Sequence, residues 1–309
     1  MKDRIGLILA LLLLLTGGIA TYLGEPGPQR VDLSSVMEVW GDVLRDADRF
    51  GLQLTRASDR EEMELGEKLS GAAPSFWKPG NEEWASYVAA VGQTLTPHVR
   101  RKGIRYQFHV IESSAVNAMA LPGGQIYVTT GMLRFLKTEA ELAAILGHEI
   151  AHVDLRHCIE RFQYQIALKR VGIGDLGQLA DIARRLVSVG YDKYQELEAD
   201  ATGVRLGIQA GYDPEAGIEV FQRLKQLHGE PEPAKAKDPL SEVILAAEEA
   251  IVAYPRSHPM SAERERRLNE LVEKNRRRLG GQSFYVGRSN YEQRIPRSQS
   301  HRQAEERRL

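Results

Sequence analysis

The sequence predicts an α+β fold, mainly helical with one small sheet, and three observations carry that prediction. Most of the chain places apolar residues at helical spacing. One stretch, from Ile104 to Thr130, switches to period two around a Pro122-Gly123-Gly124 turn. Directly after it, Thr138-Glu-Ala-Glu141 has the form of a capping box and opens the apolar run Leu142 to His157.

Taken in order, Met1 to Leu23 is a short basic start followed by an unbroken apolar run into small residues. That pattern is an export signal, and Ile5 to Leu23 is also long enough to serve as a membrane anchor. Gly24 to Arg30 reads as a linker, and Val31 to Leu69 as two or three helical pieces with Met37, Trp40, Val43 and Leu44 on one face. Trp84, Tyr87, Val88, Val91 and Leu95 mark a further helix. Ile104, Tyr106, Phe108 and Val110 alternate with polar residues as one strand, and Gln125 to Thr130 forms a second after the glycine turn. Phe162 to Tyr194 is an amphipathic run too often interrupted by charge to span a bilayer, and it could cover a site or simply pack. Gly211-Tyr-Asp-Pro214 turns into a helix bearing Ile218, Phe221 and Leu224, and Glu230 to Pro239 is a charged loop. Ser261 can cap a last charged helix, and beyond Gly280 the arginine-rich, apolar-poor tail reads as unstructured.

Composition bounds the function. The 309 residues carry a formal net charge of -1, which gives no general case for nucleic-acid binding. Cys158 is the only cysteine, so a disulfide framework and a cysteine zinc site are both excluded. The chemistry lies elsewhere. His148 and His152 stand four apart, so on a helix their imidazoles share a face and can converge on one ion. Glu149 lies beside them as a candidate general base. Two neutral imidazoles suit one Zn2+ per chain, which in catalytic sites takes three protein ligands and keeps a position open. A second loaded stretch, Tyr194 to Asp200, puts Glu196 and Asp200 on one helix face with Glu198 pointing away. Glu196 is assigned to the metal and Asp200 to a hydrogen bond that orients a ligand histidine. An acidic helix face is usually just solvated, but Ala199, Ala201, Gly203 and Gly207 permit close packing here. Extended substrate is expected to pair with the strand beside the metal, through Asn117, Gly124, Gln125, Ile126 and Tyr127.

The segment Gly147-His-Glu-Ile-Ala-His152-Val-x-x-Arg156-His157 resembles the gluzincin family that includes the CAAX prenyl proteases and the HtpX-type and BepA-type proteases. Asn117-Ala-x-Ala-x-Pro-Gly-Gly-x-Ile-x-Val-x-x-Gly131, Glu196-x-x-Ala199-Asp200 and Ser257-His258-Pro259 with Arg264 match further segments in family order. The resemblance implies His148, His152 and Glu196 as zinc ligands, Glu149 as catalytic base, and His258 near the metal. There His258 would either stabilise the oxyanion or occupy the open coordination position. The chain departs from the membrane-embedded branches in lacking further spans, and from the BepA branch in lacking a helical-repeat domain.

These readings divide the chain into a signal or anchor at 1–23, a linker with a helical segment at 24–57, a catalytic domain at 58–280 and a basic tail at 281–309. The expected activity is endoproteolysis by an exported, periplasmic or periplasm-facing zinc enzyme of a Gram-negative-type bacterium. Its substrates would be misfolded or surplus envelope proteins, and its N-terminal segment could tether it to a membrane. The rivals are a zinc-containing chaperone or scaffold with a self-plugged site, and a zinc hydrolase of non-peptide amides.

Overall fold

In the computed structural model the residues described are 56–71, 78–160, 162, 191–227, 254–297 and 306–308. The expected export signal, the expected helical pieces up to residue 55, the run at 163–190 and the expected loop at 230–239 lie outside the described residues. All described residues belong to one unit, Thr55–Leu309.

In chain order the elements are α1 (Asp59–Gly71), α2 (Glu82–Leu95), β1 (Gln107–Ile111), β2 (Ala118–Leu121), β3 (Gln125–Thr129), α3 (Thr130–Phe135), α4 (Glu139–Asp154), α5 (Lys193–Gln209), α6 (Glu215–Gln226), α7 (Tyr254–Ser257), α8 (Ala262–Leu279), β4 (Ser283–Tyr285), α9 (Arg288–Gln293) and β5 (Glu306–Arg308). This is the predicted class, mostly helical with a small mixed sheet. No helix among the described residues is long and apolar enough to cross a membrane.

The motif helix α4 is the centre of the molecule. Thr138 caps it by accepting from Glu141 N, while Glu141 reaches back to Lys137 N at 2.8 Å. Every residue of α4 except Ala144 is buried, so the helix is enclosed on all sides. Arg223 of α6 grips the Glu141 carboxylate with both terminal nitrogens, at 3.0 and 2.6 Å.

The sheet differs from the expected pair of strands. Its order is β1-β3-β2, with β1 parallel and β2 antiparallel to β3. The glycine turn therefore joins β2 to β3, and β2 is a strand the sequence did not announce. All four of its residues are buried, which erases the alternation that betrays a half-exposed strand. Gly123 and Gly124 both have positive φ, 77° and 83°, and Gly123 N donates to the buried Glu62 of α1.

The C-terminal part also departs from the expectation of an unstructured tail. Phe284, Tyr285 and Tyr291 are buried, and β4 pairs with β5 in a second, two-stranded sheet. The carbonyls of Gly287 and Val286 accept from Glu139 N and Ala140 N, satisfying first-turn donors of α4. Arg307 bonds Glu215 and Glu219 and pairs with Asp213, so part of the tail's charge is neutralised across the fold.

Candidate metal centre

Three chain segments meet at one point. α4 supplies His148, Glu149 and His152. α5 crosses it so closely that a Cβ on Gly203 would lie 2.9 Å from His148 N, and one on Gly147 would lie 3.1 Å from Gly203 O. Glu196, Ala199, Gly203 and Leu206 form the buried stripe of α5, so this crossing brings Glu196 over the two histidines. The start of α5 is fixed by a full capping box between Asp192 and Gln195. The third segment is α7 and the turn after it. Tyr254 N donates to Val116 O, His258 N donates to Tyr254 O, and the Tyr254 and His258 rings stack at 4.3 Å. Ser261 then caps α8 and sends Arg264 inward.

The donor atoms cluster tightly. His148 Nε2 and His152 Nε2 are 3.0 Å apart, and each lies 3.5 Å from a Glu196 carboxylate oxygen. Zinc bonds of about 2.0–2.1 Å at tetrahedral angles separate ligand atoms by about 3.3 Å, so this spacing fits a single ion. His258 Nδ1 belongs to the same cluster, 3.2 Å from His148 Nε2 and 2.9 Å from Glu196 Oε1. Together the four side chains offer ligand atoms that all lie within 4.8 Å of one another. Glu149 is fully buried beside them, and neither of its oxygens has a hydrogen-bond partner. His258 Nε2 approaches one of them to 3.4 Å.

Arg264 holds the acidic side of the site. Its Nε and Nη2 both donate to Asp200 at 2.8 Å, and Nη1 lies 2.5 Å from Glu196 Oε2. Asp200 in turn lies 3.0 Å from His148 Nδ1. Burial opposes ionisation of Asp200, but the Arg264 charge and hydrogen bonds outweigh it and hold the carboxyl below its usual range. Glu196 is likewise buried, and the imidazoles of His258, His148 and His152 push its carboxyl well below the usual range. In the metal-free protein burial would lower His148, yet Asp200 and Glu196 override this and push it up to about 10. His152 is driven well down, first by burial and then by the His148 charge, against the pull of Glu196. Glu196 and Asp200 thus share the one buried guanidinium of Arg264, with the fully buried Glu149 carboxyl beside the imidazoles; once both ligand imidazoles are neutral, this acidic excess is one that a divalent cation would balance.

The strand-pairing residues are not placed for their expected task. β3 is the central strand: Gln125, Ile126 and Tyr127 are paired to β1 on one side and β2 on the other. Gly124 is buried against the Arg105 carbonyl, where a Cβ would lie at 2.7 Å. Asn117 is buried with its backbone bonded to Thr129, although its side-chain oxygen has no partner. A substrate strand therefore cannot add to β3, because a central strand has no free backbone edge.

Sequence reasoning missed three neighbours of the ligands. Tyr191 stacks on His152 with ring centroids 3.6 Å apart. Tyr254, four residues before His258, stacks on that ring; the helical spacing was the available signal. His157 lies beyond the end of α4, and Arg156, at φ 73°, turns it back toward His152. Glu198 does point away from Glu196 and Asp200, and it faces His157 at 3.4 Å.

Comparison with known proteins agrees with this geometry. The model of Peptidase family M48 matches residues 82–272. Mitochondrial metalloendopeptidase OMA1 of Arabidopsis thaliana is 32% identical over 136 residues, 42% of this chain and 28% of that protein. The beta-barrel assembly-enhancing protease of Escherichia coli is 26% identical over 187 residues, 53% of this chain and 37% of that protein. Metalloprotease LoiP of Escherichia coli is 26% identical over 226 residues, 70% of this chain and 85% of that protein. The chain thus spans less than two thirds of the first two relatives and most of the third. With the family model covering more than half of its residues and the donor cluster inside the matched span, the chain belongs to Peptidase family M48.

Proposed function

We propose that this chain is a zinc metalloendopeptidase. The observation that carries the reading is the convergence of two imidazoles from α4 and a carboxylate from α5, with the unpartnered Glu149 carboxylate beside them. When bound, zinc would supply Lewis-acid polarisation of the scissile carbonyl and acidify the attacking water. His148, His152 and Glu196 would hold it. Glu149 acts as general base and then general acid: it takes the water proton and delivers it to the departing amine nitrogen. Its oxygens have no competing hydrogen bond, which leaves them ready for that exchange. Asp200 fixes the His148 ring, and Arg264 keeps Asp200 ionised and holds Glu196 in place.

His258 acts as a plug. Its Nδ1 lies among the ligand atoms, close enough to take the fourth donor position itself. That same contact supports the second reading, a zinc-containing chaperone or scaffold whose site stays closed. Export is supported by Met1 to Leu23, and with it a role in clearing misfolded or surplus envelope proteins, tethered or free in the periplasm.

Casein hydrolysis by the full-length chain tests the reading. Activity should vanish with a chelator and return with zinc. Glu149→Gln should lose about 10²–10⁴-fold in turnover while keeping its metal. His258→Ala should turn over faster than wild type. A wild type that cleaves nothing, together with a Glu149→Gln variant that still protects an unfolded client from aggregation, would favour the chaperone reading instead.

A further inference from the structure

The geometry points to His157 as a positioning residue: we propose that its ring accepts the Nδ1 proton of His152 and, backed by Glu198, fixes the tautomer with which His152 presents Nε2 to the metal. The inference rests on the metal-site reading above. It follows from counting protons on four ring nitrogens.

His152 Nε2 faces the donor cluster, 3.0 Å from His148 Nε2, and must offer a lone pair there. A neutral imidazole carries one N–H, so His152 Nδ1 bears it. Nδ1 lies 3.1 Å from His157 Nδ1. That nitrogen must then be the acceptor, which places the His157 proton on Nε2. Nε2 lies 3.4 Å from Glu198 Oε2, so the remaining proton also has an acceptor. One arrangement of protons satisfies the whole chain, and the reverse arrangement would put a proton where the metal belongs.

The two ligand histidines are thereby oriented by different chemistry. His148 rests on Asp200, a carboxylate tied to Arg264. His152 rests on an imidazole whose own carboxylate is 61% exposed and so shielded by water. A fourth carboxylate against the ligand set would add negative charge beside Glu149, Glu196 and Asp200; a neutral ring avoids that while still taking the hydrogen bond. The backbone is shaped for the purpose. α4 ends at Asp154, and Arg156 adopts left-handed φ, which a non-glycine residue keeps only where its surroundings hold it. The Arg156 guanidinium donates to Ala57 O at 2.6 Å and pairs with Asp59, so α1 and the residues before it hold the turn that aims His157. Tyr191, stacked on the other ligand ring face at an interplanar angle of 18°, fixes the plane of His152 from a second direction.

The test is the zinc dissociation constant of the full-length chain, measured by competition with a chelator, alongside the visible spectrum of the Co2+-substituted protein. One zinc bound to wild type establishes the metal site; its failure would remove that reading before His157 is reached. His157→Phe keeps a ring without the acceptor and should weaken zinc binding by about 10–100-fold with an altered cobalt spectrum. His157→Asn restores an acceptor at the δ position and should recover most of that loss. Glu198→Ala, at the surface and harmless to folding, should weaken binding in the same direction by less. The proposal is overturned if His157→Phe binds zinc within about twofold of wild type, or if Asn and Phe lose affinity equally. Unchanged affinity in Glu198→Ala would overturn the role of that carboxylate.

Discussion

At the scale of single residues, His148 faces opposite demands with and without metal. Without it, Asp200 and Glu196 keep the ring protonated up to about pH 10, against 6.5 for an ordinary histidine. A group whose folded pKa is raised stabilises fully below its unfolded value and loses that contribution as pH rises through the folded one. Glu196 and Asp200 are depressed, so their contribution is present above their ordinary values of 4.5 and 3.8 and is lost as pH falls below them. His152 is depressed, so its neutral ring costs stability as pH falls below 6.5. Urea unfolding of the metal-free protein should therefore show a stability maximum near pH 6.5, with a decline toward pH 10 on one side and toward acid on the other. Because zinc must displace the His148 proton, its apparent affinity should climb by about tenfold per pH unit over the alkaline window where stability declines. A pH-independent zinc affinity would contradict this account of the ligand electrostatics.

At the scale of elements, the site exists because α4 and α5 cross at glycines. Gly203→Ala would set a methyl carbon 2.9 Å from His148 N, so the two helices must part and carry Glu196 away from the imidazoles. Such overpacking costs about 1–3 kcal/mol, and zinc affinity should fall with it. Gly207→Ala, one turn on, meets nothing and should be neutral or slightly stabilising in the same chelator titration and thermal melt. Equal effects from the two substitutions would show that the crossing does not govern the site. The elements most legible in the sequence were those with a local signature. The capped motif helix, the acidic pair on α5 and the Ser261 cap each declare themselves within a few residues. β2 did not, because a strand buried on both faces has no alternation to read. The turn at Arg156 did not either, since the usual mark of left-handed backbone is glycine and arginine gives no such cue. Its conformation is held by partners near residues 57 and 59, nearly 100 positions away in sequence.

At the scale of the whole molecule, the centre is assembled from three distant segments, and its surroundings include residues beyond the span matched by the family model. Phe284, Tyr285 and Tyr291 read as a sparse, charged tail because their burial depends on contacts with α4 and the turn at Gly211, and on charge pairing by Arg307. Ending the chain at Gly280 would expose three aromatic side chains and strip the acceptors from Glu139 N and Ala140 N. It should cost about 5 kcal/mol or more and lower the melting temperature measured by circular dichroism; an unchanged melting temperature would mean that this segment does not stabilise the motif helix. The central claim is that helices α4 and α5 grip one cation between them. Anomalous diffraction at the zinc absorption edge, from crystals of the zinc-loaded protein, tests it most directly. The account predicts a single strong peak about 2.0–2.2 Å from His148 Nε2, His152 Nε2 and a Glu196 carboxylate oxygen. A peak elsewhere, or one that Glu196 does not reach, would contradict it.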